Sequence, residues 1–353
     1  MSTKLPNVIF PYIIGTFGGF LFYLAHLPLA WILGPMTFLI IWRSLFKKIS
    51  TFIQPNFLKN GSFIILGISF GLSFTKETFV LVGPYVIPFL LTTVLLIFLS
   101  VCNGLIISKL VNIDRNTSIF ASIPGGLTEM VAASEAVHAN SSLVTIFQTV
   151  RLLTVVFLVP FTILHMFEPS SYSQTTTLLA QSDISIFSYS WYFLAGFVGW
   201  GLRKFLPASY VIGPLLTTAS LKIIGIELPL FHDLFMIFAQ ISIGVGFGLM
   251  ITFNDLKKGG KYCGLYFITT MILIVASFGF GYVFSLLTDL NLATAMLSLA
   301  PGGLVEMVLT ASSIGADPAV VSSLQFIRLL FIISVVPSLL KFSMNKLPSK
   351  SLN

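Results

Sequence analysis

Charge is scarce in this sequence: only 9% of its 353 residues are Asp, Glu, Lys or Arg, against about 25% in soluble globular domains. A water-soluble fold of this length is not expected, because too few charged side chains remain to cover its surface. Cysteine is nearly absent, and Cys102 and Cys263 both fall in apolar runs, so neither a stabilising disulfide nor a thiolate metal site is expected. The four histidines, His26, His138, His165 and His232, have no compact ligand spacing, which leaves no metal, cofactor or catalytic residue to assign. No glycine-rich loop closed by a lysine is present, so ATP-driven work by this chain alone is disfavoured. The net charge of +7 is spread over short turns such as RSLFKK (43–48) and DLKKGGK (255–261), the usual mark of loops retained in the cytoplasm. With no sizeable soluble segment left for a helix-turn-helix or zinc finger, direct nucleic-acid binding is not expected.

What is abundant is apolar sequence. Hydrophobic residues make up 56% of the chain, 35 of them Phe, and long runs occupy 8–24, 89–107, 265–287 and 320–340. A membrane-crossing helix needs roughly 17–25 mostly apolar residues, and these runs supply that length repeatedly. A cleaved signal peptide or single anchor cannot account for the later runs. The expectation is an all-α polytopic membrane protein, multi-pass in a bacterial inner (plasma) membrane, with lipid around it and a homo-oligomer among its possible assemblies.

The sequence is also written twice. PGGLTEM (124–130) recurs 177 positions later as PGGLVEM (301–307), and the same offset carries Gly67 and Gly71 onto Gly244 and Gly248, Gln148 onto Gln325, and Arg151 onto Arg328. Nearer the start of each half, Gly34-Pro35 answers to Gly213-Pro214, and Gly15 and Gly18 to Gly196 and Gly199. This divides the chain into a first membrane repeat (8–166), a polar linker (167–185) and a second membrane repeat (186–340). Spans are predicted near 8–25, 28–45, 60–75, 84–108 and 142–166, answered by 186–203, 207–224, 232–252, 262–287 and 318–340, with Gly34-Pro35 and Gly213-Pro214 ending theirs. If the PGG segments are re-entrant, nearly every basic cluster falls on one side, the linker on the other, and the halves are inverted repeats. If they cross fully, the halves are parallel.

Proline lacks an amide donor and glycine opens unusual backbone angles, so Pro124, Gly125 and Gly126, and Pro301, Gly302 and Gly303, are predicted to break a helix at membrane depth. Such a break is tolerated where protein or a polar cavity surrounds it. Residues after each break can form a half-helix whose amino end favours an anion or carboxylate. Glu129 and Glu306 would lie in that first turn, as caps or as sites for a proton or cation, while Thr128 becomes Val305 in the second copy. Arg151 and Arg328 sit three residues after Gln148 and Gln325 on one helix face, and a buried Glu–Arg pair is the economical expectation. Asn140 and Asp317 suit helix N-caps. Gly67, Gly71, Gly244, Gly246 and Gly248 suit close helix packing.

LAWILGPM (29–36) with YVIGPLL (210–216), the two PGG motifs, and QTVRLL (148–153) with QFIRLL (325–330) together resemble the integral-membrane AbrB family. Its members include AbrB duplication proteins and proteins carrying an older label of ammonia monooxygenase. The small soluble DNA-binding regulator of the same name has a swapped-hairpin fold that this chain cannot contain. The family is similar in turn to inverted-repeat secondary transporters, in which broken helices meet near the bilayer midplane. The resemblance implies a secondary transporter of a small, anionic solute, with a coupled proton or cation as further partner. The alternative is a membrane regulatory or sensory protein affecting gene expression, and a monooxygenase-like enzyme is the weakest reading.

Overall fold

The structure, a computed structural model, describes residues 6–46, 52–111, 113–135, 137, 139–167, 186–206, 208–251, 257 and 259–345. The 168–185 stretch of the proposed linker lies outside them. Every extended element among the described residues is helical: α1 (Pro6–Leu24), α2 (Ala30–Leu45), α3 (Asn56–Gly71), α4 (Lys76–Val111), α5 (Arg115–Ser122), α6 (Leu127–Glu135) and α7 (Ser141–Met166) come first. After them come α8 (Ser190–Gly201), α9 (Ser209–Ile224), α10 (Asp233–Met250), α11 (Lys261–Thr288), α12 (Leu292–Leu299), α13 (Leu304–Ile314) and α14 (Pro318–Asn345). Five of these helices, α1, α4, α7, α10 and α11, are long and apolar enough to cross a membrane.

The surface is as apolar as the sequence requires. Phe193 on α8 is 82% exposed, and Phe17, Ile87, Phe98, Phe197 and Val275 are likewise exposed on their helices. Water would penalise so much apolar surface, whereas lipid would not.

The chain condenses into two compact units, each drawing on both ends of the sequence. One comprises 1–83, 157–255 and 305–322, the other 84–156, 256–304 and 323–353. In the first unit, glycines let backbones touch. A methyl built on Gly67 of α3 would meet the Val211 carbonyl oxygen of α9, and one on Gly244 of α10 would meet the Ile32 carbonyl oxygen of α2. Gly71 faces Leu215 O and Gly248 faces Met36 O in the same way. Gly18 and Gly34 bring α1 against α2, while Gly199 and Gly213 bring α8 against α9. Apolar side chains close this packing, with Ile14, Leu39, Ile241 and Val245 in one buried cluster and Ile68, Tyr192 and Ala195 in another.

Gly34-Pro35 and Gly213-Pro214 do not end their spans. Both pairs lie inside α2 and α9, where close glycine packing offsets the amide that proline lacks. The irregularity falls instead at the helix starts. Leu29 and Ala208, which precede α2 and α9, take left-handed angles with φ of 46° and 47°, a conformation costing about 1–2 kcal/mol for residues other than glycine.

The second unit has two buried clusters. One joins Ile119, Phe120, Ile123, Met130, Val144 and Ile332, and the other joins Ile107, Ala121, Ile146, Phe147 and Tyr266. Gly104 of α4 and Gly281 of α11 give α5 and α12 their close approach, since a methyl on either would lie 2.9 Å from Ile119 Cα or 2.8 Å from Met296 Cα.

Two substitutions on α3 separate backbone contact from helix propensity. Gly67→Ala should lower stability by about 1–3 kcal/mol through its collision with Val211. Gly61→Ala, where an added methyl meets nothing within 4 Å, should raise it by about 0.5–1 kcal/mol. Thermal unfolding in detergent checks this, and equal shifts for both variants would refute the packing argument.

Candidate functional site

Each PGG motif stops one helix and starts another. Ile123 and Ala300 precede proline, which disfavours helical angles for them, and both are extended, with ψ of 130° and 136°. The amide of Gly125 then donates to Ile123 O at 2.9 Å, and that of Gly302 to Ala300 O at 2.8 Å. These are three-residue turns with proline at the centre. The next helix begins directly, as Met130 N donates to Gly126 O at 2.9 Å, and Gly303 immediately precedes α13.

Such a break strands the carbonyls at the end of α5 and α12, and the glutamine–arginine pairs collect them. On α7, Gln148 Nε2 donates to Phe120 O at 2.6 Å and Ile123 O at 3.1 Å. Arg151 Nη1 donates to Ile123 O at 2.6 Å and Nη2 to Gly125 O at 2.7 Å. On α14, Gln325 Nε2 reaches Leu297 O, Ser298 O and Ala300 O at 2.7, 3.1 and 3.3 Å. Arg328 Nη1 donates to Ala300 O at 2.5 Å and Nη2 to Gly302 O at 2.7 Å. Three-residue spacing puts amide and guanidinium on one helix face, and the planar fork of arginine spans two carbonyls at once. Both arginines are only 7% exposed.

The expected pairing of an arginine with Glu306 is corrected by this geometry, while that of Arg151 with Glu129 falls on a side chain outside the described residues. Among the described residues, both guanidinia are held by main-chain carbonyls and neither is hydrogen-bonded to a carboxylate. Glu306 is in the first turn of α13 and 2% exposed, and its Oε2 has no hydrogen-bond partner. Thr128 and Glu129 lie on α6, but their side chains are outside the described residues. The caps are as expected: Asn140 Oδ1 accepts from Leu143 N at 3.1 Å, and Asp317 Oδ1 accepts from Ala319 N at 2.9 Å.

Pro124 and Pro301 line one small void of the second unit together with Thr93, Leu273, Leu299 and Arg328. The two breaks therefore meet at the same place. Thr93 was not foreseen. Its only sequence signal is that the 177-residue offset pairs it with another threonine, Thr270. Gly104 and Gly281 share that offset and were equally available to be read.

If the arginines serve stranded carbonyls, their geometry matters more than any charge on Glu306. Arg328→Lys keeps the charge but loses the fork, and Gln325→Leu strips donors from three carbonyls. Each should lower stability by about 1–3 kcal/mol. Glu306→Gln should cost nothing measurable, because it removes a buried charge whose Oε2 lacks a partner. Unfolding midpoints of the three variants test the order, and a loss for Glu306→Gln equal to that for Arg328→Lys would restore the ion pair.

Comparison with known proteins corrects the functional expectation. The chain is 26% identical over 354 residues to "Uncharacterized protein YhjN" of Bacillus subtilis (strain 168), covering 92% of this chain and 90% of that protein. It is also 26% identical over 339 residues to "Putative regulator AbrB" of Escherichia coli (strain K12), covering 94% of each. The named relative is described as a regulator, which overturns the expectation of a secondary transporter: broken helices give a polar centre in a membrane but do not by themselves specify passage through it. The expectation of a solute and coupling ion as partners without direct nucleic-acid binding falls with it. A regulatory family gives no ground for striking nucleic acid from the partners, and composition was a weak reason to do so. The non-enzymatic reading agrees with these descriptions, and among the described residues no group of three or more His, Cys, Asp or Glu could hold a metal ion. A family model described as "Transition state regulatory protein AbrB" matches residues 31–344, and the chain belongs to that AbrB family.

Proposed function

We propose that this chain is a membrane-embedded regulatory or sensory protein whose state affects gene expression. The observation that carries this reading is the full-length similarity to a protein named as a regulator, joined to membership of a family with a regulatory description. The five long apolar helices support a bacterial inner membrane as its place of action. Within the second unit, the two PGG turns and their clamps, Gln148, Arg151, Gln325 and Arg328, are the element through which a signal acts. Their hydrogen bonds are either made or broken, and a device with two discrete arrangements is what a switch requires.

The halves 8–166 and 186–340 are two copies of one unit, inverted in the membrane and joined by 167–185. Support comes from the reciprocal contacts of Gly67 with Val211 and Gly244 with Ile32, and from clamps that take carbonyls in the same register in both copies. In this reading the PGG segments return to the side from which they enter.

Transcript profiles of cells expressing the wild-type chain, Gln325→Leu or no protein test the regulatory reading. The wild type should change a defined set of transcripts at least about twofold, converting to roughly 0.4 kcal/mol in an equilibrium, and Gln325→Leu at equal membrane abundance should change them less. Indistinguishable profiles would refute it. Crosslinking of the chain to DNA in the same cells separates direct from indirect action. Side-specific labelling should place 167–185 opposite both termini, and all three on one side would reject the inverted arrangement.

A further inference from the structure

In the first unit, Val8, Tyr12, Thr16 and Phe20 recur at four-residue intervals along α1 and form one wall of an open groove of about 710 Å³. Leu58 of α3 and Phe238 of α10 line it with them, and Trp31 of α2 lines the same groove. The lining is almost wholly apolar. The Tyr12 hydroxyl is engaged elsewhere, by Ser242 Oγ at 2.9 Å and by Gln54 Nε2 at 3.1 Å. From Val8 to Phe20 the helix rises about 18 Å. A helix crossing beside the chain would need a groove of about 30 Å, whereas one leaflet of hydrocarbon is about 15 Å deep. The groove therefore has the length of a lipid tail.

The chain around this groove is charged with one sign. Its first 76 residues include Lys4, Arg43, Lys47, Lys48, Lys59 and Lys76 and contain no Asp or Glu. The end of the α2–α3 turn is pinned to the α1 wall: Ile53 N donates to Asn7 O at 3.2 Å, and Gln54 Nε2 donates to the Tyr12 hydroxyl and to Ser242 O. These contacts set the start of α3 at the Val8 end of the groove. Arg43 is already engaged by the carbonyls of Leu249 and Ile251, but Lys59 is exposed and directly follows Leu58. On the four helices that line the groove the only carboxylate is Asp233, in the first turn of α10, and it lies about 140° round that helix from Phe238. A cation at one end of an apolar channel, with no carboxylate on its walls, complements an amphiphile with a negative head.

We infer that this groove seats the tail of an anionic phospholipid, with the lipid phosphate beside Lys59. Because basic turns mark the cytoplasmic side, the lipid belongs to the cytoplasmic leaflet. Its tail lies against α1, α3 and α10 together and braces the three helices where their own side chains leave a gap. The inference rests on the first unit alone and stands independently of the regulatory reading.

The test uses the full chain with Trp42→Phe, Trp191→Phe and Trp200→Phe, which leaves Trp31 in the groove as the single tryptophan. In phosphatidylcholine vesicles, phosphatidylglycerol brominated on its tails should quench Trp31 half-maximally at a mole fraction at least about fivefold below that needed with brominated phosphatidylcholine. That is the discrimination expected of one cation near the membrane surface, and Lys59→Gln should lower it about fivefold. Equal quenching by the two lipids, or a preference unchanged by Lys59→Gln, would overturn the inference. Quenching by neither lipid would overturn it as well, because protein such as a second copy would then cover the groove. If the single-tryptophan chain does not fold, thermal unfolding of the wild type in detergent decides. Phosphatidylglycerol should raise the midpoint more than phosphatidylcholine with the same tails or inorganic phosphate, and Thr16→Trp, which fills the groove from an exposed position, should abolish that difference. The same midpoint with all three additives, or a difference that survives Thr16→Trp, removes the site.

Discussion

A carbonyl oxygen without a donor costs several kcal/mol in a membrane interior, and each proline break creates more than one such oxygen. This cost organises the second unit. A cleft open to water could satisfy the oxygens, but here side chains from neighbouring helices do so. Gln148 and Arg151 serve the first break and Gln325 and Arg328 the second. Arginine suits the task because its fork spans the turn from the last residue of one segment to the glycine after proline. The apparent extravagance of burying two guanidinia in a greasy protein follows from what the backbone lacks.

Much of the helical layout was legible because apolar run length reports it directly. Asn140 and Asp317 were legible as caps for the same local reason: a short polar side chain before an apolar helix has few other uses. The partners of the arginines were not. Reasoning from side chains alone matched cation with anion, and for Glu306 the match does not hold, since a sequence displays its charged side chains but not the carbonyls that a turn will strand.

Gly-Pro within α2 and α9 misled in the opposite direction. Proline usually ends a helix in water, but in these helices Gly34 and Gly213 bring a neighbouring backbone so close that packing holds the helix across the defect. The two compact units were illegible for a broader reason, because hydropathy identifies which segments prefer lipid and is silent about which segments prefer one another. Function was misjudged by a comparable step. A polar centre built from broken helices is a physical inference, whereas passage of a solute through it was an analogy.

The contact of Gly67 with Val211 also sets an order of events during synthesis. About 140 residues separate the two positions, so at roughly 5–20 residues per second the ribosome needs on the order of 7–30 s after making α3 to complete its neighbour α9. Ile32 waits longer for Gly244. Throughout that interval the nascent first half has glycine-lined grooves with no backbone to fill them, and only lipid or the insertion machinery can shelter them. A pause or truncation between the halves would therefore expose the chain to degradation before its first unit could close.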